Sequence, residues 1–212
     1  MNKYELRQKI GREEFSYQSL MVALKAYKAP LQKINELLKS GQLIRVKKGL
    51  YVLEPDPFAA YNPLLLANLI YGPSYISFET ALSIWGLIPE RVEEIKSVTS
   101  KRNKSFTTPI GRYSYRYVNP KKYKLGIMRM EQAPSENIII ASPEKALVDT
   151  MTLALKSTEF SFKDLLVDLR VDESRLVELV RPARVRKIVR HYNSRQCQEF
   201  LNYIENQKES NG

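Results

Sequence analysis

Residues 30–53, PLQKINELLKSGQLIRVKKGLYVL, decide how this 212-residue chain is read. Pro30 suits the first turn of a helix, where its missing N–H costs nothing. Leu31, Ile34, Leu37 and Leu38 then fall on one side at helical spacing, with Gln32, Lys33, Asn35, Glu36 and Lys39 on the other. Ser40-Gly41 stops the helix. Residues 43–46 and 50–53 are short β-type runs, and Lys47-Lys48-Gly49 between them is a tight turn in which Gly49 supplies a positive φ. Residues 25–49 hold six lysines and Arg45 against one acid, Glu36, so +6 of the chain's formal +11 lies in this stretch. Charge gathered on one helix and one hairpin can touch phosphates together.

Upstream, the spacing predicts a weak helix over 4–10 and a second over 17–27, capped by Ser16 and carrying Leu20, Met21, Leu24 and Tyr27 on one side. Two helices joined by the short link Lys28-Ala29 make a helix-turn-helix, whose second helix is the one that enters a major groove, and the hairpin behind it is a wing. Gln32 and Asn35 carry amides able to pair bidentately with adenine. Lys28 and Lys33 suit phosphates or guanine, Lys39 shares the polar side, and Arg45, Lys47 and Lys48 project at the wing. A solvated basic face on a small interaction domain would carry the same charge. The order helix, turn, helix, basic hairpin is the more specific signal.

Composition is that of an ordinary globular protein, 43% hydrophobic and 27% charged, with enough length for one large or two small domains. The final QKESNG reads as a frayed tail. No apolar run approaches the roughly 20 residues of a membrane span, and the N-terminal MNKYELRQKIGREEF is too polar for a secretory signal. The expectation is a cytoplasmic protein. Cys197 is the sole cysteine and His191 the sole histidine, so the counts exclude an intramolecular disulfide and a thiolate or imidazole metal cluster. They also leave no Ser-His-Asp or Cys-His machinery outside His191, which sits in the basic run RPARVRKIVRHY. No enzyme activity and no cofactor is expected.

A boundary is expected at Glu54-Pro55-Asp56-Pro57, where prolines break regular structure. Residues 1–53 hold 11 basic and 4 acidic groups, net +7, whereas 54–212 hold 23 and 19, net +4, so the second region is not read as a polyanion binder. It opens with a helix from Asn62-Pro63 to Gly72-Pro73, then a strand at 75–77 and a helix FETALSIW closed by Gly86. Runs at 95–99, 105–108, 112–118, 125–130 and 137–141 are β-like, and Ser142-Pro143 starts a helix through 155, with helical patterns beyond. The fold class expected is α+β: a winged helix-turn-helix over 1–54, then a domain over 55–212 with a mainly antiparallel sheet and a helical C-terminal part.

RYSYRYV places Tyr113, Tyr115 and Tyr117 on one face and Arg112, Ser114 and Arg116 on the other. Aromatics interleaved with arginine stack bases, but a half-buried antiparallel strand has the same alternation and is the preferred reading. Arg181, Arg184, Arg186, Lys187 and Arg190 form a late basic run, with Asp168, Asp172, Glu173 and Glu178 nearby to neutralise it.

The winged-helix pattern, the block YISFETALSIWGL and the block IIIASPEKALVDTM, in that order, resemble the AbiEi family of antitoxins from type IV toxin-antitoxin and phage-defence systems. Ser77, Thr80, Ala81, Leu82, Trp85, Gly86 and Leu87 match the first family motif, and Pro143, Glu144, Lys145, Ala146, Leu147 and Asp149 the second, within a similarity running from about residue 12 to 200. The resemblance implies a winged helix that binds inverted repeats of duplex DNA in its own operon promoter and represses it. It also implies a C-terminal domain that counters an AbiEii-like nucleotidyltransferase toxin, not necessarily by stable contact. Read physically, Ser77 caps a helix that Gly86 ends. Ser142 and Pro143 open another, on which Ala146 and Leu147 face a core, Glu144 suits the dipole and Lys145 and Asp149 pair at i, i+4. The same block could instead form a surface for antitoxicity. Two alternatives stay open: a plain winged-helix repressor, and a Mg²⁺-dependent nuclease using Asp56, Glu94 and Lys96.

Overall fold

The first 53 residues gather their helical apolar positions into a cluster of their own. The structure, a computed structural model, describes residues 1–57, 59–90, 92–133, 136–154 and 161–210. The chain begins with α1 (Lys3–Ile10), β1 (Glu14–Ser16), α2 (Tyr17–Ala23), α3 (Pro30–Lys39), β2 (Leu43–Lys47) and β3 (Leu50–Leu53). Leu6, Leu20, Leu24, Ile34 and Leu37 bury against Phe15, Tyr51 and Leu53. Ser16 does cap α2, its Oγ accepting from the Ser19 N–H at 3.1 Å, but the helix ends at Ala23, short of Tyr27. Leu31, expected on the inner side of α3, is 59% exposed, because Ile34 and Leu37 alone reach the cluster deeply.

The hairpin is longer and better supported than its sequence indicates. Gly49 takes φ +86 at the turn, and the unanticipated β1 adds a third strand in the order β1-β3-β2, both pairings antiparallel. All four residues of β3 are buried. Successive strand side chains point to opposite faces, and here both faces are covered. Tyr51 and Leu53 join the N-terminal cluster, while Leu50 and Val52, with Val46 of β2, join the core of the second region.

The expected break at 54–57 is therefore tied down on both sides. Arg7 of α1 forks onto Glu13 at 2.6 and 3.0 Å and reaches Asp56 at 2.7 Å. The buried Glu14 carboxylate accepts from the Asn62 backbone N–H, and the Asn62 side chain caps the next helix.

Beyond it come α4 (Pro63–Ile70), β4 (Ser74–Ile76), α5 (Phe78–Ile84), β5 (Glu94–Thr99), β6 (Lys104–Thr108), β7 (Gly111–Tyr117), α6 (Pro120–Tyr123), β8 (Ile127–Ala133) and β9 (Glu136–Ala141). Then follow α7 (Pro143–Asp149), continued as a π-helical turn Thr150–Ala154, and α8 (Phe162–Asp168), α9 (Glu173–Leu179), α10 (Pro182–Val189) and α11 (Arg195–Ser210). The helix expected through 155 thus changes pitch after Asp149, and Leu155 lies outside the described residues. The expected frayed tail is instead helical through Ser210, with 211 and 212 outside the described residues.

The strands form one sheet in the order β6-β7-β5-β4-β9-β8. Three of its five pairs are antiparallel, but the sheet is mixed, because β4–β9 and β5–β7 run parallel. The β6–β7 hairpin docks with β7 inward, which places β7 beside β5 in the same direction. Tyr113 and Tyr115 are buried and the Tyr115 hydroxyl donates to the Ala67 carbonyl at 2.6 Å, so the tyrosine face of RYSYRYV is core; Tyr117 alone is exposed. The sheet carries an α+β fold, and among the described residues no helix is long and apolar enough to cross a membrane.

Candidate functional site

Two clusters of the sequence-derived residues can be built from the fold, one exposed and one sealed. The exposed one lies on α3 and the β2–β3 hairpin. Gln32, Asn35 and Lys39 on α3, Lys28 before it, and Arg45 and Lys48 on the hairpin are all exposed. Burial of Ile34 and Leu37 fixes that orientation, since at 3.6 residues per turn Gln32, Asn35 and Lys39 fall on the side of the helix away from those two. Two members differ from expectation. Lys33 is held by Glu36 one turn on, at 2.9 Å, so its charge is partly answered within the helix. Lys47 turns away from the hairpin tip: its Nζ donates to the Ile70 carbonyl of α4. Partial burial, then the nearby charges of Lys104 and Lys101, pull its pKa below the usual lysine range.

The sealed cluster collects the most chemical residues of the two motif blocks. Tyr75 and Ser77 sit two apart on one face at the end of β4, and Lys145 and Asp149 sit one turn apart on α7. The two elements meet so that Asp149 Oδ2 accepts from Ser77 Oγ at 2.8 Å and from the Tyr75 hydroxyl at 2.9 Å. Asp149 Oδ1 accepts from Lys145 Nζ at 2.6 Å, and Nζ also donates to the Tyr192 hydroxyl at 2.5 Å. Lys145 and Asp149 both have 0% exposure. Burial pushes the Asp149 carboxyl up, and Lys145, Ser77 and Tyr75 pull it back. Burial, then the neighbouring Asp149 charge, raises the Tyr75 hydroxyl.

This geometry corrects the capping role expected of Ser77. It begins α5 without a side-chain cap, because its hydroxyl is committed to Asp149. The next residue, the buried Phe78, takes φ +54, a backbone region that costs a bulky residue of order 1–3 kcal/mol. Ser142 does cap α7, accepting from the Lys145 N–H at 3.3 Å. Pro143, Glu144, Ala146 and Leu147 are buried as well, and Ala81, Leu82 and Leu87 join the same core. Glu144 Oε1 accepts from the Arg181 backbone N–H at 3.2 Å, tying the start of α7 to the start of α10. Gly86 takes φ +69 after α5, and Trp85 beside it donates from Nε1 to the Ala141 carbonyl at 2.9 Å. The second block therefore offers no contact surface; it is the joint between sheet and C-terminal helices. Sequence reasoning missed Tyr75 and Tyr192, whose hydroxyls complete the joint, and no local pattern marks either.

Gly126, at the mouth of this joint, gives a direct test of its packing. A Cβ there would stand 2.8 Å from both Ile188 Cδ1 and Lys145 Cβ, at φ +63. Overpacking costs about 1–3 kcal/mol and a left-handed residue about 1–2. Gly126→Ala is therefore expected to lower unfolding free energy by about 2–5 kcal/mol in urea titrations followed by circular dichroism; an unchanged midpoint would refute the packing.

The late basic run is largely not neutralised by the acids read beside it. Asp172 caps α9, Glu173 accepts from the Tyr203 hydroxyl and Glu178 pairs with Arg175 at 2.7 Å. Arg186 pairs with Glu205 of α11 at 2.8 Å. Arg184 and Lys187 border an open groove of about 320 Å³ with Lys124, Ile127 and Met128. The nuclease pattern finds other partners: Asp56 is held by Arg7 and Lys96 by Glu79 at 3.0 Å, while Glu94 opens β5.

No family model and no curated protein matches the chain. Its fold is similar to that of a solved structure, the RV2827C protein from Mycobacterium tuberculosis. The two share a TM-score of 0.62 at 16% identity, over 94% of this chain and 75% of that one. At that identity the likeness concerns the fold.

Proposed function

We propose that the chain is a DNA-binding regulator of the AbiEi antitoxin type. In this reading residues 1–54 act as a winged helix-turn-helix on inverted repeats in the protein's own promoter, and the second region counters a nucleotidyltransferase-like toxin. One observation carries the DNA half: the α3 face that turns away from the N-terminal cluster presents Gln32, Asn35 and Lys39, beside a hairpin that presents Arg45 and Lys48. Amides suit base edges and cations suit phosphates, and both project from one small rigid unit. The antitoxin half is supported by the order of the two motif blocks.

Burial of the second block favours a second reading for part of the molecule. Side chains with no exposure touch no toxin, so the block supports antitoxicity as scaffold only, and a plain winged-helix repressor would need the same joint. Two measurements separate these. The protein should retard a DNA fragment carrying its upstream region, with affinity falling steeply as salt rises; salt-independent binding, or none, would sink the DNA half. Co-expression with the neighbouring toxin gene should restore growth if the antitoxin half is right, and continued arrest leaves the plain repressor.

A further inference from the structure

The β8 edge of the large sheet is open and carries its own charge complement. β8 stands last in the order β6-β7-β5-β4-β9-β8, paired with β9 on one side. Among the described residues no element other than β9 bonds to the backbone of residues 127–133. Arg129, Glu131, Gln132 and Ala133 are exposed, Met128 is 37% exposed, and neither proline nor lysine blunts the strand. Such an edge offers a row of N–H and C=O groups to another strand. Neither Arg129 nor Glu131 belongs to an ion pair among the described residues. The two charges share one face of the sheet, and Met128 and Met130 share the other, across from Ile140 and Ile138 of β9.

Suppose two copies join these edges antiparallel about a two-fold axis perpendicular to the sheet. Each face of the sheet then stays on its own side, so the axis must pass through one residue of β8, and that residue fixes every pair. An axis at Arg129 sets Arg129 against itself, and one at Glu131 sets Glu131 against itself; like charges directly opposite repel. An axis at Met128 or Gln132 sets no charge against another. An axis at Met130 sets Arg129 opposite the partner's Glu131, twice by symmetry, and brings the two Met130 side chains together. Directly opposite Cβ atoms lie about 4.5–5.5 Å apart, within ion-pair reach of side chains this long. The bulge between Glu131 and Ala133 ends the regular ladder just past this point, so the joined run is short and centred on the charges.

We propose that β8 is a self-association edge, at which two copies of this chain pair antiparallel about Met130 through two Arg129–Glu131 contacts. A strand of one charge sign from another protein would meet one like charge for each opposite one, whereas a second copy meets only opposite charges. A short ladder with two exposed ion pairs gives a weak, reversible dimer. The proposal is independent of the DNA-binding reading, since the pairing needs no DNA.

The test is sedimentation velocity on the full chain over a concentration series at low salt. Wild type should dimerise reversibly, and more weakly as salt rises. Arg129→Glu leaves two acids on the strand and Glu131→Arg leaves two bases, so each variant alone should dimerise at least about tenfold more weakly. Mixed one to one, the two variants should associate with about the wild-type constant, because every acid then faces a base. Both positions are exposed, and recovery in the mixture excludes misfolding as the cause of the loss. A wild type that stays monomeric at its highest soluble concentration would overturn the proposal and leave the edge to a strand of another protein. Single variants that dimerise like wild type would move the interface elsewhere, and a mixture that stays monomeric would refute the register.

Discussion

Asp149→Ala is expected to cost about 3–5 kcal/mol of unfolding free energy, because it strands the Lys145 charge where no water reaches it. Lys145 Nζ would keep only the Tyr192 hydroxyl, and Ser77 and Tyr75 would lose their acceptor. The joint variant Lys145→Met, Asp149→Leu removes both charges and is expected to recover part of the loss. It should not recover all of it, since three hydroxyls are left to find partners at about 1–3 kcal/mol each. Guanidinium titrations of the two variants check this, and an Asp149→Ala protein within 1 kcal/mol of wild type would contradict the buried pair. The same titrations bear on function. In a co-expression assay, loss of rescue by Asp149→Ala should track loss of folded protein; a stable variant that fails to rescue would give the cluster a role beyond scaffolding.

What the sequence disclosed and withheld follows from how far each residue's partner lies along the chain. The helices and strands of the first 53 residues are legible because their apolar spacing, Pro30, Gly41 and Gly49 act within a few positions. Even the Lys145–Asp149 pair is local, one turn of α7. The partners that define the site are not. Ser77 has the side chain and position of a helix cap, but a carboxylate 72 residues away takes its hydroxyl. The β4–β9 and β5–β7 pairings run parallel between strands that are not sequence neighbours, so reading successive β runs as hairpins yields too antiparallel a sheet. The fully apolar LYVL of β3 did carry a signal, since a strand without polar alternation is buried on both faces. Taken at face value, it contradicts a hairpin standing free as a wing beyond a proline linker.

Gln32→Ala with Asn35→Ala should abolish most of the preference for the upstream fragment over unrelated DNA while leaving the salt slope intact. A good bidentate amide-to-adenine pair is worth about 1–3 kcal/mol of discrimination, so two of them amount to roughly 2–6 kcal/mol. At about 1.4 kcal/mol per tenfold, the affinity ratio of the two duplexes should fall at least about 30-fold. Neither amide carries charge, so neither releases counterions, and the slope belongs to the lysines and arginines around them. Both side chains are exposed and make no hydrogen bond within the described residues, so stability should stay within about 0.5 kcal/mol of wild type. Lys33→Ala is the informative neighbour. Glu36 already holds its ammonium, and the loss on removing it should be smaller than for the exposed Lys48, which has no ion-pair partner among the described residues. Equal losses on both duplexes for the amide pair would make Gln32 and Asn35 positioning residues. Base recognition would then have to come from elsewhere on α3, where Lys39 is the remaining exposed charged side chain with no ion-pair partner among the described residues.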